Sequence, residues 1–238
     1  MQRCLVSRDL FGLDDFLMEG DVAHHLRTVL RIGEGERLLI LDGVGHRKEV
    51  VVTEVSRHAA RVRSCGGVET VPRARPEITL FQCVIKNARM DWIVEKAAEL
   101  GVATLVPVVS RHCVVRHEEG VVVDRWQRIA DGALEQSNGA WRMTVAPVCG
   151  FASALDAMRG SVPVFVAALS PGAMPLRDAF PKDAPGRVGW FVGPEGDFSE
   201  EELARLCAAG AIPVTLGQNI LRSETAAMFG LSVIRGMS

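Results

Sequence analysis

Two short loops near the end of the 238-residue chain carry the residue types best suited to chemistry. The first, Gly193-Pro194-Glu195-Gly196, follows a run rich in β-branched and aromatic residues, Val188 to Val192, and leads into Asp197-Phe198-Ser199. The second, Gly217-Gln218-Asn219, follows Ile212 to Leu216 and leads through Arg222 to Ser223. In open α/β sheets ligands settle where such loops gather, at the carboxyl ends of strands. A phosphate cradle wants glycines, free backbone N–H groups and a Lys or Arg. Here the first loop carries Glu195 and Asp197, which repel polyphosphate. A neutral or cationic ligand with hydroxyls and a purine edge suits these loops better.

S-adenosylmethionine meets that description. It has no phosphate, a positive sulfonium, ribose hydroxyls for carboxylates, and an adenine that loop backbone can hydrogen-bond. The elements that must position the loops read strand, loop, helix, twice over. Ser199 followed by Glu202 forms a capping box, which satisfies backbone donors at a helix N-terminus. Ser223 is expected to cap the helix that starts at Glu224.

Upstream, Glu77 to Ile85 reads as a buried strand and Arg89 to Leu100 as a helix with Met90, Ile93, Val94 and Ala97 on one face. Gly101 ends that helix and Thr104 to Val109 is the next strand, a β-α-β pattern that builds a parallel sheet. Val121 to Ser137 is a further helix, Ser161 to Ala168 a central strand, and Pro171 to Gly186 an irregular connector. Before Val71-Pro72-Arg73-Ala74-Arg75-Pro76, the best linker, short β-rich runs alternate with turns: Arg3 to Ser7, Arg37 to Asp42, Arg47 to Val55 and Ala59 to Ser64. They predict a small barrel or sandwich over residues 1–72, with the second domain at 73–238. Gly43-Val44-Gly45 is a hairpin turn: it lacks the third glycine and the following helix of a dinucleotide fingerprint. Asp21 to Arg31 is amphipathic, with Arg27 and Arg31 four apart, either a solvated basic face or a pair of phosphate contacts.

Three motifs then resemble one family. They are Gly193-Pro194-Glu195-Gly196-Asp197-Phe198-Ser199 with Leu216-Gly217-Gln218-Asn219-Ile220-Leu221-Arg222-Ser223-Glu224-Thr225-Ala226, the His24-His25-Leu26 to Arg31 segment, and Lys86 to Trp92 with Lys96 to Val102. The family is the 16S ribosomal RNA uridine-N3 methyltransferases of the SPOUT class. The resemblance implies an α/β fold with a parallel sheet and a deep trefoil knot, a small N-terminal PUA-like β-barrel that binds RNA, and a homodimer acting on the small ribosomal subunit. It implies an S-adenosyl-L-methionine site at Leu169, Gly193, Pro194, Glu195, Gly196, Leu216, Gly217, Ile220, Leu221, Ser223 and Thr225, and RNA contacts at Arg3, His25, Arg27, Arg31, Lys86, Arg89 and Gln136. Glu135-Gln136-Ser137-Asn138-Gly139 matches the family's Glu-Gln-Ser-Gly-Arg element only in part: Gly139 stands where the family has arginine. Asp197 replaces a glycine, and Gln218-Asn219 replaces Pro-Arg.

Methyl transfer from a sulfonium is a direct displacement, so alignment supplies much of the rate. A uridine N3 must lose its proton first, and the charge spreads onto O2 and O4, where placed donors stabilise it. Arg222 is the candidate for that role; the alternative is a salt bridge to Glu195 or Glu224 that shapes the loop. Glu195 either acts as base or holds a ribose hydroxyl. Lys86 is either a phosphate contact or a solvated strand end, and the last helix offers either a dimer face or a core face.

Composition adds bounds. A net charge of −2 gives no basic footprint of its own. Six cysteines without a C-x-x-C pair argue against a zinc site or disulfide framework, so no metal is expected. No stretch approaches the roughly 20 apolar residues of a membrane helix, and a cytoplasmic protein without membrane attachment is expected. Two other functions compete: an RNA methyltransferase with a different target nucleotide, and an RNA-binding assembly factor that has lost turnover.

Overall fold

The computed structural model describes residues 1–20, 22, 23, 26, 32–56, 58–114, 121–170, 172–183 and 185–237. The chain forms two compact units, Met1–Arg73 with Leu134–Arg142, and Ala74–Ala133 with Met143–Ser238.

The first unit is built on a six-stranded sheet: β1 (Gln2–Leu5), β2 (Asp15–Glu19), β3 (Arg37–Leu41), β4 (His46–Val55), β5 (Ala59–Ser64) and β6 (Glu69–Thr70). The order is β1-β3-β4-β5-β2, with β6 on β4. Period-two alternation buries Leu38 and Ile40, Val50 and Val52, Ala60 and Val62, and Phe16 and Met18 in one cluster. The hairpin expected at Gly43-Val44-Gly45 joins β3 to β4; Gly43 and Gly45 have φ of +74° and +100°. Asp42 Oδ1 accepts the N–H groups of Val44 and His46, each at 2.9 Å, and so fixes the turn. The 134–142 segment returns to this unit. Trp141 Nε1 donates to Val71 O at 2.9 Å, and its ring fills the space a Gly45 side chain would take, 2.5 Å from an ideal Cβ. Of the amphipathic 21–31 segment, Leu26 is buried and Val22 packs beside it, but His25, Arg27 and Arg31 lie outside the described residues.

The second unit holds an eight-stranded sheet in which every recorded pair is parallel. Its strands are β7 (Glu77–Cys83), β8 (Thr104–Val109), β9 (Thr144–Val145), β10 (Cys149–Gly150), β11 (Val164–Ala167), β12 (Met174–Pro175), β13 (Arg187–Val192) and β14 (Ala211–Thr215). The order is β10-β8-β7-β13-β11-β14-β12, with β9 on β8. Helices cover both faces, as a parallel sheet requires. Asn87–Glu99, Val121–Gln136 and Ser223–Gly236 pack on one side with Met90, Ile93, Trp126, Ala227 and Leu231. Phe151–Met158 and Glu200–Ala208 pack on the other with Phe151, Ala154 and Leu206. The 171–186 connector is more ordered than its Pro, Gly and Ala content suggests: it contains edge strand β12 and a short helix, Leu176–Ala179. Their order comes from tertiary contact, with Leu176 and Phe180 buried in the core.

Candidate active site

The site is assembled where β11, β13 and β14 end. After Val192 the chain turns through Gly193-Pro194-Glu195-Gly196, closed by Asp197 N–H donating to Pro194 O at 3.0 Å. Asp197 has φ +56°, the left-handed region. Glycine visits it freely and Asp is among the few others that tolerate it, so the substitution for the family's glycine keeps the turn. Its carboxylate accepts from Phe198 N–H at 2.8 Å. The capping box forms as expected: Ser199 Oγ accepts from Glu202 N–H and Glu202 Oε2 accepts from Ser199 N–H.

The second loop is tightened by Thr215, whose Oγ1 donates to Gly217 O at 3.0 Å, and Gly217 has φ +127°. The last helix does not start as expected. Arg222 is its N-cap, with no side-chain capping bond. Ser223, 5% exposed, instead turns its hydroxyl inward, donating to Gly193 O at 2.6 Å and accepting from Gln82 Nε2 at 2.9 Å. The Gly193 carbonyl is buried and needs a donor, which outweighs a cap that solvent can replace. Ser223 thereby ties the second loop to the first. Ser223→Ala removes that donor and should cost about 1–3 kcal/mol in urea denaturation; an unchanged midpoint would show that the tie is unimportant.

Between the loops lies a cavity of about 250 Å³. Leu169, Gly193, Pro194, Glu195, Leu216, Gly217, Ile220, Leu221, Ser223 and Arg222 all line it, so most of the expected cofactor residues meet there. Gly196 does not: an ideal Cβ on it would stand 3.1 Å from His112 Cβ, on the side away from the cavity lining. Thr225 is also outside, lining a shallow hollow with Trp92, Met228, Phe229, Ser232 and Val233. Asp197, Thr215 and Asn219 line the cavity without having been singled out as cofactor residues. Their position at strand ends was the available signal. Gln82 was also missed, although a lone amide inside the apolar run Ile78 to Val84 stands out.

The ion pair proposed for Arg222 is absent. Arg89 takes both carboxylates instead, with Nη1 donating to Glu195 Oε1 at 3.1 Å and Nε lying 3.8 Å from Glu224 Oε1. Arg222 is exposed at the cavity and makes no ion pair among the described residues. Arg89, expected to contact RNA, thus braces the 193–197 loop through Glu195. Lys86 is exposed at the N-cap of its helix. Arg3 is engaged within its own unit, donating to Asn138 Oδ1 at 3.1 Å and to the carbonyls of Glu135 and Gln136 at 3.2 and 3.3 Å. It satisfies the orphan carbonyls at a helix C-terminus. The Gln136 side chain is exposed beside it.

The cavity's charged lining is Glu195, Asp197 and Arg222, with no lysine. Apolar walls from Val192, Val214 and Ala226 suit a purine, and two carboxylates suit a cation or sugar hydroxyls, so the donor set fits an adenosyl sulfonium.

Residues 72–235 match the family described as RNA methyltransferase domain, and residues 19–63 match the RNA methyltransferase PUA domain. The protein is thus an RNA methyltransferase by class. The ribosomal RNA small subunit methyltransferase E of Mycobacterium bovis is 32% identical over 92% of this chain and 85% of its own. That of Aquifex aeolicus is 32% identical over 92% of each. The crystal structure of the Neisseria gonorrhoeae enzyme of that name, bound to S-adenosyl methionine, is 30% identical, superposes with a TM-score of 0.89, and covers 99% of this chain and 97% of its own. Within its class, the chain belongs to the ribosomal RNA small subunit methyltransferase E family.

Proposed function

We propose that the protein methylates N3 of a uridine in 16S ribosomal RNA of the small subunit, using S-adenosyl-L-methionine held between the 193–197 and 215–223 loops. One observation carries the proposal: Ser223 fastens the two loops side by side around a cavity with two carboxylates and no lysine. When bound, the cofactor supplies an electrophilic methyl on a positive sulfur. The protein's part is to orient and to stabilise charge. Glu195, fixed at one oxygen by Arg89, is an anchor for a ribose hydroxyl with an oxygen to spare. Arg222, at the rim, donates to the uridine oxygens as the N3 proton leaves. The target base must be unstacked to reach it.

The first unit holds RNA, with Arg3, His25, Arg27, Arg31 and Gln136 as contacts, and Lys86 and Arg89 of the second unit are further RNA contacts. Trp92 and Phe229, 42% and 46% exposed around one hollow, support a homodimer through the Ser223–Gly236 helix. The placing of β13 between two strands that precede it in the chain supports the trefoil knot. A cytoplasmic location fits this substrate; among the described residues no helix is long and apolar enough to cross a membrane.

The test is methylation of small subunits from cells lacking the protein, followed by nucleoside analysis. N3-methyluridine is expected. Another methylated nucleoside would establish a different target, and a failure to bind S-adenosylmethionine would point to an assembly factor. A variant tests the support: Arg89→Ala should weaken cofactor binding roughly tenfold, about 1.4 kcal/mol. Because Arg89 is partly exposed, global stability should change by less than about 1 kcal/mol. Unchanged affinity in calorimetry would remove Arg89 from the cofactor site.

A further inference from the structure

Beneath the acidic loop, on the side away from the cavity, two thiols meet. Cys83 is the last residue of β7 and fully buried; Cys113 closes the turn that follows β8, with its N–H donating to Ser110 O at 3.2 Å. Cys83 and Cys113 pack in the same cluster, and Cys113 Sγ lies 3.7 Å from the carbonyl oxygen of Val108, the residue paired with Cys83 across β7 and β8. Ser110 adds its N–H and its hydroxyl, each 3.3 Å from Cys113 Sγ. The Ser110 N–H and hydroxyl and the Val108 carbonyl thus surround one sulfur. The Cys113 thiol is drawn down to about 6, first by the Cys83 hydrogen bond and then by those from Ser110 and the backbone, against the opposing effect of burial. Burial, by contrast, pushes Cys83 well up. The turn itself is at the surface, with Arg111, His112 and Val114 exposed around half-buried Cys113.

That turn also props the loop. His112 Nδ1 lies 3.0 Å from Gly196 O and 2.9 Å from Asp197 O; since carbonyls only accept, this nitrogen carries the proton. Arg111 N–H donates to Glu202 Oε1 at 2.8 Å, the same glutamate that closes the capping box after the loop.

We propose that Cys113 and Cys83 form a peroxide-reactive thiol site, with Cys113 the attacking and Cys83 the resolving sulfur, whose oxidation loosens the 193–199 loop. The Cys113 thiolate attacks one oxygen of hydrogen peroxide; the O–O bond breaks, one oxygen stays as Cys113–SOH, and the other leaves as hydroxide, protonated to water. The Cys83 sulfur then attacks the sulfenic sulfur, its proton leaving with the departing hydroxyl as a second water. In sum, two thiols and one peroxide give one disulfide and two waters; the sulfurs lose two electrons and the peroxide gains them. Closing the pair to the roughly 2 Å of a disulfide pulls the 110–113 turn toward the end of β7. His112 is carried away from the two loop carbonyls it supports.

The test needs no cofactor, so its failure is distinct from failure of the methyltransferase assignment. Full-length protein is exposed to hydrogen peroxide, remaining thiols are blocked with N-ethylmaleimide, and digests are read by mass spectrometry alongside amide hydrogen exchange. The expected first product is a Cys83–Cys113 linked peptide, with Cys113 reacting roughly tenfold faster than the exposed Cys65 and Cys207. Amides of residues 195–199 should exchange faster in the oxidised protein and recover with dithiothreitol. Cys83→Ser should stop the reaction at a dimedone-trappable Cys113 sulfenic acid, and Cys113→Ser should abolish the link. Reaction of Cys113 no faster than Cys65 and Cys207, or a link with unchanged exchange at 195–199, overturns the proposal.

Discussion

Arg222→Ala should lower the rate constant for methyl transfer roughly 100- to 1,000-fold, the range seen when one preorganised donor to a developing anion is removed. Cofactor affinity should stay within about threefold, since an interaction made only in the transition state contributes nothing to ground-state binding. The geometry supports this split. Arg222 stands at the cavity with an extended backbone, φ −67° and ψ 155°, just outside the last helix. The two carboxylates that could have neutralised it, Glu195 and Glu224, are held by Arg89. Single-turnover kinetics on small subunits, with calorimetry for the cofactor, separates the outcomes. If turnover survives, Arg222 is not the charge stabiliser; if affinity falls in step with rate, it is a cofactor ligand.

Gly230→Ala should destabilise the fold by about 2 kcal/mol or more. Alanine gains up to roughly 1 kcal/mol over glycine inside a helix. At this position, however, an ideal Cβ would stand 2.3 Å from Cε2 and Cζ2 of Trp190. Trp190 is fully buried in the central strand β13, and its Nε1 is committed to Ala227 O at 3.2 Å. It cannot move without disturbing the strand that leads into the acidic loop, and overpacking of this kind typically costs about 1–3 kcal/mol, occasionally more. Gly132 is the control: a helical glycine with nothing within 4 Å of an ideal Cβ. Gly132→Ala should stabilise by roughly 0.5–1 kcal/mol. Chemical denaturation of both variants checks the opposed signs, and equal shifts would refute the steric argument.

Local chemistry was legible in the sequence, and long-range partnership was not. The Ser199–Glu202 capping box, the Gly43 to Gly45 hairpin and the β-α-β unit all depend on residues close together in the chain, and each is present. The two loops could be recognised as one site because each follows a strand of the same parallel sheet, with only β11 between them. Ser223 was misjudged because its hydroxyl answers a carbonyl thirty residues away rather than its own helix. The bonds that Arg3 makes to the carbonyls of Glu135 and Gln136 likewise join residues far apart in the chain and left no local signal. Strands β2 and β12 carry no periodic pattern long enough to stand out; pairing with β5 and with β14 decides their conformation.

The position of β13 has a consequence for the finished molecule. It is the seam of its sheet, flanked by β7 and β11, and without it those two strands would face each other across an unfilled slot of unpaired amides and carbonyls. Both principal walls of the cleft come from residues 192–226, after that seam is laid. A chain cut short before Arg187 would keep much of its apolar content yet lack both loops that wall the cleft, so competence arrives only after residues 187–226 have been made.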